Sequence, residues 1–210
     1  MKPEFWQERW DLDQTQWDLK KADPKLVEYW PTLNIAQGST VFVPLCGKSM
    51  DMAWLAGVGY KVLGVELAEK ACIQYFEDLQ VKPTVSKNAS GKFTIYGAND
   101  TQLWCGDIFD LDADDLKYVS AIFDRASVIA LPPDMRKQYA EHLIPLIPSP
   151  NGILMTLDYD QSKKPGPPHA VSDAEVQELF GAWKPTLLDE TVKTGMMGGL
   201  NPTERIYKFN

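Results

Sequence analysis

Glu66 ends the apolar run Val62-Leu63-Gly64-Val65. A carboxylate there offers two acceptor oxygens, which suits bidentate capture of a vicinal diol such as a ribose. Upstream, Val41-Phe42-Val43-Pro44-Leu45 reads as a buried strand running into the Gly-containing loop Cys46-Gly47-Lys48-Ser49. Met50 to Ala56 then reads as a helix. Strand, loop, helix, strand and terminal acid make a βαβ unit, and open α/β sheets bind ligands at the carboxyl ends of their strands. The bland alternative is an ordinary buried βαβ with a solvated acid at a strand end.

The loop is poor in phosphate-binding features. G-x-G-x-x-G is absent, and Gly47-Lys48-Ser49 lacks the upstream glycine of a phosphate loop. A pyrophosphate needs several close backbone N–H groups, so an adenosine ligand without phosphate, such as S-adenosylmethionine, fits better. Asp107 and Ile108 follow the strand run Leu103-Trp104-Cys105, and Arg125 follows Ala121-Ile122-Phe123-Asp124. Both lie at strand ends. Gly106-Asp107 is also a good turn, Arg125 is also suited to a surface pair with Asp124 or Asp107, and Asp124 itself is suited to orienting its loop. Trp10 offers an aromatic face to a sulfonium cation, or a hydrophobic staple for the N-terminal segment.

The elements that must position these residues alternate. Strands are expected near 41–45, 61–66, 102–105, 119–124, 152–158, 186–192 and 204–209, with helices near 50–57, 68–80, 134–147 and 173–180. That pattern predicts an α/β fold with a mainly parallel sheet covered on both faces. Ser172-Asp173-Ala174-Glu175 is a capping box. Pro132-Pro133-Asp134 suits a helix start, and Gly57 and Gly59 suit a helix end. Lys92 to Tyr96 reads as a short strand in a hairpin, and Gly195 to Pro202 as a mobile loop between two strands. The first forty residues, with Trp6, Trp10, Trp17 and Trp30, read as a helical cover over a 41–210 core. Nothing resembling a linker divides the chain, so one domain over 1–210 is expected.

Composition excludes several classes. The net charge of −8 over 210 residues disfavours nucleic acid and anionic membranes as partners. No window reaches the roughly 18 apolar residues of a membrane span, and the N-terminus has no apolar signal-peptide core. Cys46, Cys72 and Cys105 are widely spaced without a C-x-x-C pair, so neither a disulfide framework nor a zinc site is expected. A cytoplasmic protein without a metal, acting as a monomer, is the expectation. No G-x-S-x-G elbow supports a hydrolase. Cys46 reads as a small loop residue, His142 as structural, and His169 as lying near a substrate.

VFVPLCGKSMDMAWLAGVGYKVLGVELAEKA, together with Phe5-Trp6-Gln7-Glu8-Arg9-Trp10, resembles the thiopurine S-methyltransferase family in its bacterial branch. Gly106 to Asp110, Phe123 to Pro132 and Pro165-Gly166-Pro167-Pro168 match in the family's order. The resemblance implies a class I S-adenosylmethionine-dependent methyltransferase, Rossmann-like, with a seven-stranded mostly parallel sheet. It implies Trp10, Leu45, Glu66, Asp107, Ile108 and Arg125 as cofactor contacts, with Arg125 positioning cofactor and substrate. It also implies Trp17, Pro167 and Pro168 on the substrate side. Trp17-Asp18 stands where many members carry Phe-His, and the 194–203 loop departs from the family pattern. Both departures bear on the acceptor. A thiol is implied; inorganic selenium or tellurium species, another small soft nucleophile, and a nonenzymatic adenosyl binder are the alternatives.

Overall fold

Apolar runs without alternation form strands buried on both faces, and the runs around Phe42 and Val65 do so here. The computed structural model describes residues 3–15, 17–195 and 197–209. It divides into two compact units, residues 1–121 and 122–210, each described by itself.

The first unit carries helices α1 (Pro3–Asp11) and α2 (Pro24–Tyr29), followed by β1 (Thr40–Val43), α3 (Met50–Gly57), β2 (Lys61–Glu66) and α4 (Glu69–Asp78). Strands β3 (Thr84–Lys87), β4 (Thr94–Ala98) and β5 (Thr101–Cys105) come next, then the short helix α5 (Ala113–Leu116). Strand order is β3-β4-β5-β2-β1. β1 runs parallel to β2, with Val41 opposite Val62, and β2 parallel to β5, with Glu66 opposite Cys105. The β3–β4 hairpin adds antiparallel strands at β5, so the sheet of this unit is mixed, and β3 is a strand the sequence pattern does not mark. β4 covers Thr94–Ala98, slightly later than the run predicted from Lys92.

Local chemistry sets the ends of α3. Ser49 caps it, accepting from the Asp51 N–H at 3.2 Å. Asp51 is itself buried and accepts from the Ser49 hydroxyl at 2.8 Å and from the Asp23 N–H at 2.7 Å. A helix cap in the βαβ unit thereby anchors the start of α2.

β6 (Val119–Arg125) leads the chain into the second unit. There follow α6 (Ser127–Ala130), α7 (Pro133–Leu146), β7 (Asn151–Asp158), α8 (Asp173–Phe180), β8 (Thr186–Val192) and β9 (Thr203–Phe209). β9 pairs antiparallel with both β7 and β8, so the chain's last strand is antiparallel as expected. Pro133 stands in the first turn of α7 and Ser172 caps α8 through the Glu175 N–H at 3.2 Å. The core stacks Phe180 on Trp183, with Phe209 edge-on to Trp183 at 5.0 Å. The buried Trp183 indole N–H donates to the Ile147 carbonyl at 2.8 Å, which satisfies its polar edge.

At the end of β6, Asp124 is buried. It accepts from the Tyr139 hydroxyl at 2.6 Å and the Ser127 N–H at 3.3 Å. It thus orients the turn at Ala126, whose φ is 74°, and this is the structural role the sequence suggests. Burial pushes its pKa up to about 6, against the opposing pull of these hydrogen bonds.

Two outcomes follow. A Cβ on Gly152 would stand 2.0 Å from the Ile122 carbonyl oxygen, and a backbone atom yields little. Gly152→Ala should therefore lose about 3 kcal/mol of unfolding free energy; a urea midpoint equal to wild type would refute the clash. Asp124 binds its proton more tightly folded than unfolded. Its contribution is therefore full below the unfolded value near 3.8 and is lost as pH rises through about 6. Relative to Asp124→Asn, the wild type should lose about 3 kcal/mol across that window, read from urea unfolding at several pH values. A pH-independent difference would refute the assignment.

Candidate functional site

The three parallel strand ends of the first unit meet through one residue. Glu66 is 6% exposed, at the end of β2. Its Oε2 accepts from the Gly47 N–H at 2.9 Å and its Oε1 from the Ala68 N–H at 2.8 Å. Its own carbonyl accepts from the Gly106 N–H at 3.0 Å. The loops after β1, β2 and β5 are thereby tied together. Burial raises the Glu66 pKa, and the Ala68, Gly47 and Leu67 amides oppose the rise. A carboxylate oxygen has two acceptor sites, so each oxygen retains capacity beyond its amide bond. That remaining acceptor capacity complements the two hydroxyl donors of a diol.

The loop after β1 holds its shape by unusual backbone. Leu45 and Gly47 lie in the left-handed region, with φ of 43° and 53°. For a branched residue such as Leu45 this conformation costs about 1–3 kcal/mol and tends to mark functional turns. The Cys46 N–H donates to the Val65 carbonyl at 3.0 Å, extending the ladder past β1. A Cβ on Gly47 would lie 3.0 Å from Trp10 Cζ2, so glycine there answers both the dihedral and the close approach of an indole.

Trp10 is 3% exposed and packs on Ala68 and Ala71, with Trp17 against the same cluster. It therefore lies over both residues whose amides hold Glu66. Trp17 meets Trp10 edge-on at 6.2 Å and Trp6 edge-on at 5.5 Å. Lys48 reaches Asp78 at 2.8 Å and Asp18 at 3.7 Å, and Lys70 reaches Asp13 at 2.8 Å. Such pairs, partly solvated, add little energy individually but join the N-terminal segment to the loop after β1 and to α4. Of the two readings the sequence allows for Trp10, the packing observed is that of the staple, and it sets the indole beside the Gly47 turn.

Asp107 Oδ1 accepts from the Phe109 N–H at 3.0 Å and caps the short turn Ile108–Asp110, in which Ile108 is buried. The turn reading of Gly106-Asp107 holds, with one carboxylate oxygen of Asp107 serving as the cap. Cys46 is buried, and burial first, then the nearby Glu66, pushes its thiol pKa well up. It is a protonated packing group, in line with its reading as a small loop residue. Cys72 and Cys105 are free thiols, and Cys105 Sγ donates to the Leu67 carbonyl at 3.8 Å.

In the second unit, Arg125 is half-buried as the last residue of β6. Asp124 beside it is turned to Tyr139 and Ser127, so it is not a surface partner. Pro167 and Pro168 follow cis peptide bonds in a half-buried loop. His169, next in that loop, donates its N–H to the Ile129 carbonyl at 2.6 Å. Burial, then the Arg136 charge, lowers its imidazole pKa. His142 is half-buried on α7. In the 194–203 loop Gly195, Met197, Gly198 and Gly199 have positive φ, while Met196 lies outside the described residues.

The sequence missed Ala68 and Asp51 as working parts. Ser49-x-Asp51 is a cap pattern that could have flagged Asp51. No side-chain signal marks Ala68, because it contributes only a backbone N–H.

The fold is that of solved methyltransferases. A Burkholderia thailandensis 1,6-didemethyltoxoflavin-N1-methyltransferase, solved with bound S-adenosylhomocysteine, matches with a TM-score of 0.65 at 14% identity, covering 99% of this chain and 87% of that one. A probable thiopurine S-methyltransferase of Yarrowia lipolytica is 70% identical, with 100% of both chains covered. The thiopurine S-methyltransferase of Pseudomonas fluorescens strain Pf0-1 is 46% identical over 100% of this chain and 99% of its own. The family model described as thiopurine S-methyltransferase matches residues 1–195. With the family model spanning most of its length and relatives of 46–70% identity covered end to end, the chain belongs to the thiopurine S-methyltransferase family.

Proposed function

We propose that this chain transfers a methyl group from S-adenosylmethionine to the sulfur of thiopurines and other aromatic or heterocyclic thiols. The observation that carries the reading is the Glu66 carboxylate, buried with one amide on each oxygen under Trp10. S-adenosylmethionine supplies an electrophilic methyl on a sulfonium. Glu66 would hold its ribose hydroxyls, and the strained Leu45 turn would present backbone to it. Asp107 and the Ile108 backbone would face the adenine. Trp10 would set an aromatic face toward the cation.

Arg125, Trp17, Pro167 and Pro168 serve the acceptor in this reading, with Arg125 also toward the cofactor carboxylate. A heterocyclic thiol ionises far more readily than an alcohol, so no strong general base is demanded. Arg125 favours the thiolate electrostatically. The remaining work is in-line positioning and exclusion of water. Selenium and tellurium acceptors share the soft-nucleophile logic, and parallel kinetics on these and on thiopurines decides between them. Cofactor binding without turnover on any acceptor would favour the nonenzymatic binder instead.

The chain works as one methyltransferase domain over 1–210, as a cytoplasmic monomer without nucleic acid or membrane partners. The net charge of −8 supports the exclusion of nucleic acid and anionic membranes. Among the described residues no helix is long and apolar enough to cross a membrane.

Glu66→Ala should weaken S-adenosylhomocysteine binding roughly tenfold or more. It should also lower stability by about 1–3 kcal/mol, because the Gly47 and Ala68 amides lose a buried acceptor. Titration calorimetry on a variant verified as folded reads the first effect; an unchanged Kd would remove Glu66 from the ribose. The N-terminal segment should behave as a cover that tightens on binding. Amides of residues 5–15 should exchange more slowly with S-adenosylhomocysteine present, and deletion of residues 1–18 should depress methyl transfer strongly. Equal protection with and without ligand, together with normal turnover by the truncated chain, would leave Trp10 a packing residue.

A further inference from the structure

The loop that carries Pro167 and Pro168 is poor in its own hydrogen-bond donors. Pro165, Pro167 and Pro168 have no N–H, so neighbouring groups must hold the loop in place of a backbone ladder. Three side chains do this. The Tyr159 hydroxyl donates to the Pro168 carbonyl at 2.6 Å. Gln161 accepts from the Ala170 N–H at 2.6 Å, and its amide donates to the Tyr159 hydroxyl at 3.0 Å. Arg136 Nη1 donates to the Ala170 carbonyl at 2.9 Å and to Glu175 at 3.2 Å.

Arg136 is the unusual member. It is 2% exposed on α7, and its Nε has no hydrogen-bond partner among the described residues. A buried guanidinium with one donor unmet stabilises little. An apolar side chain of similar volume would often serve as well or better for stability alone. What an apolar side chain cannot supply is the Nη1 group, whose two hydrogens hold a carbonyl and a carboxylate at once. Ala170 is held at both its N–H and its carbonyl, two residues from Pro168. The His169 N–H is held between them by Ile129.

We propose that Arg136, with Tyr159 and Gln161, is a positioning clamp that sets the shape of the Pro165–Pro168 loop and thereby which thiols are admitted. The inference rests on the reading that Pro167 and Pro168 face the acceptor. A loop held at Pro168 and Ala170 favours a flat bicyclic acceptor. A loosened loop loses that preference and leaves cofactor binding alone.

The test compares Arg136→Met, Arg136→Lys and Tyr159→Phe with wild type. Steady-state kinetics and calorimetric binding are measured for 6-mercaptopurine and thiophenol, alongside S-adenosylhomocysteine affinity. In Arg136→Met the KM and Kd for 6-mercaptopurine should rise about tenfold. Those for thiophenol should rise about threefold or less, and S-adenosylhomocysteine affinity should stay within about twofold. Arg136→Lys should recover part of the loss. Tyr159→Phe should act in the same direction, and the double variant should fall short of the sum. A merely structural Arg136 would weaken acceptor and S-adenosylhomocysteine in step, which overturns the clamp. Variants indistinguishable from an active wild type overturn the clamp alone. A wild type that neither binds nor methylates either thiol overturns the reading of function, and the clamp with it.

Discussion

The carboxylate of Glu66 is the constraint on which the first unit's site depends. Its two oxygens and its own carbonyl take amide hydrogens from three loops that are far apart in sequence, at Gly47, Ala68 and Gly106. Fixing those loops independently would require each to satisfy its own backbone polar groups. A single buried acid does it for all, at the expense of a desolvated charge. The raised Glu66 pKa is the mark of that desolvation, and the amides that oppose it are the same ones that shape the site. One set of hydrogen bonds thereby fixes both the carboxylate and the three loops around it.

The loop after β1 adds rigidity of another kind. Left-handed backbone at Leu45 and Gly47 turns the chain sharply enough to aim the Gly47 N–H back at Glu66. The indole of Trp10 then closes over that turn at van der Waals distance. Packing, strain and hydrogen bonding converge on three consecutive residues, which is how preorganised sites are built. In the second unit, Asp124 does a related task around Ala126 by drawing the Ser127 amide and the Tyr139 hydroxyl onto one buried carboxylate.

Much of this was legible in the residues. The run ending at Glu66 and the run from Thr186 to Val192 stand as strands with the bounds that apolar patterning gives. Met50–Gly57 and Asp173–Phe180 are helices where capping and glycine signals place them. The β3–β4 hairpin was only half legible, because Thr84–Lys87 is exposed throughout and carries no apolar signature. Within the site, side chains with evident chemistry stood out, as Glu66 and Trp10 did. The Ala68 amide did not, since a backbone donor has no letter of its own. Asp107 illustrates the opposite problem. Its residue type suits a ligand contact and a turn cap equally, and only the 3.0 Å bond to Phe109 reveals that one oxygen already serves the turn.

The tryptophan chain has an optical consequence. Trp6, Trp17 and Trp10 stand edge-to-face in sequence, with ring centres 5.5 and 6.2 Å apart. Indoles at such separations couple their electronic transitions, and the coupling depends steeply on distance and mutual angle. The N-terminal segment thus carries a built-in chromophore array. Near-ultraviolet circular dichroism of the unlabelled protein would register a small rotation of any one ring in this array, read as a difference against the fixed bands of the four other tryptophans.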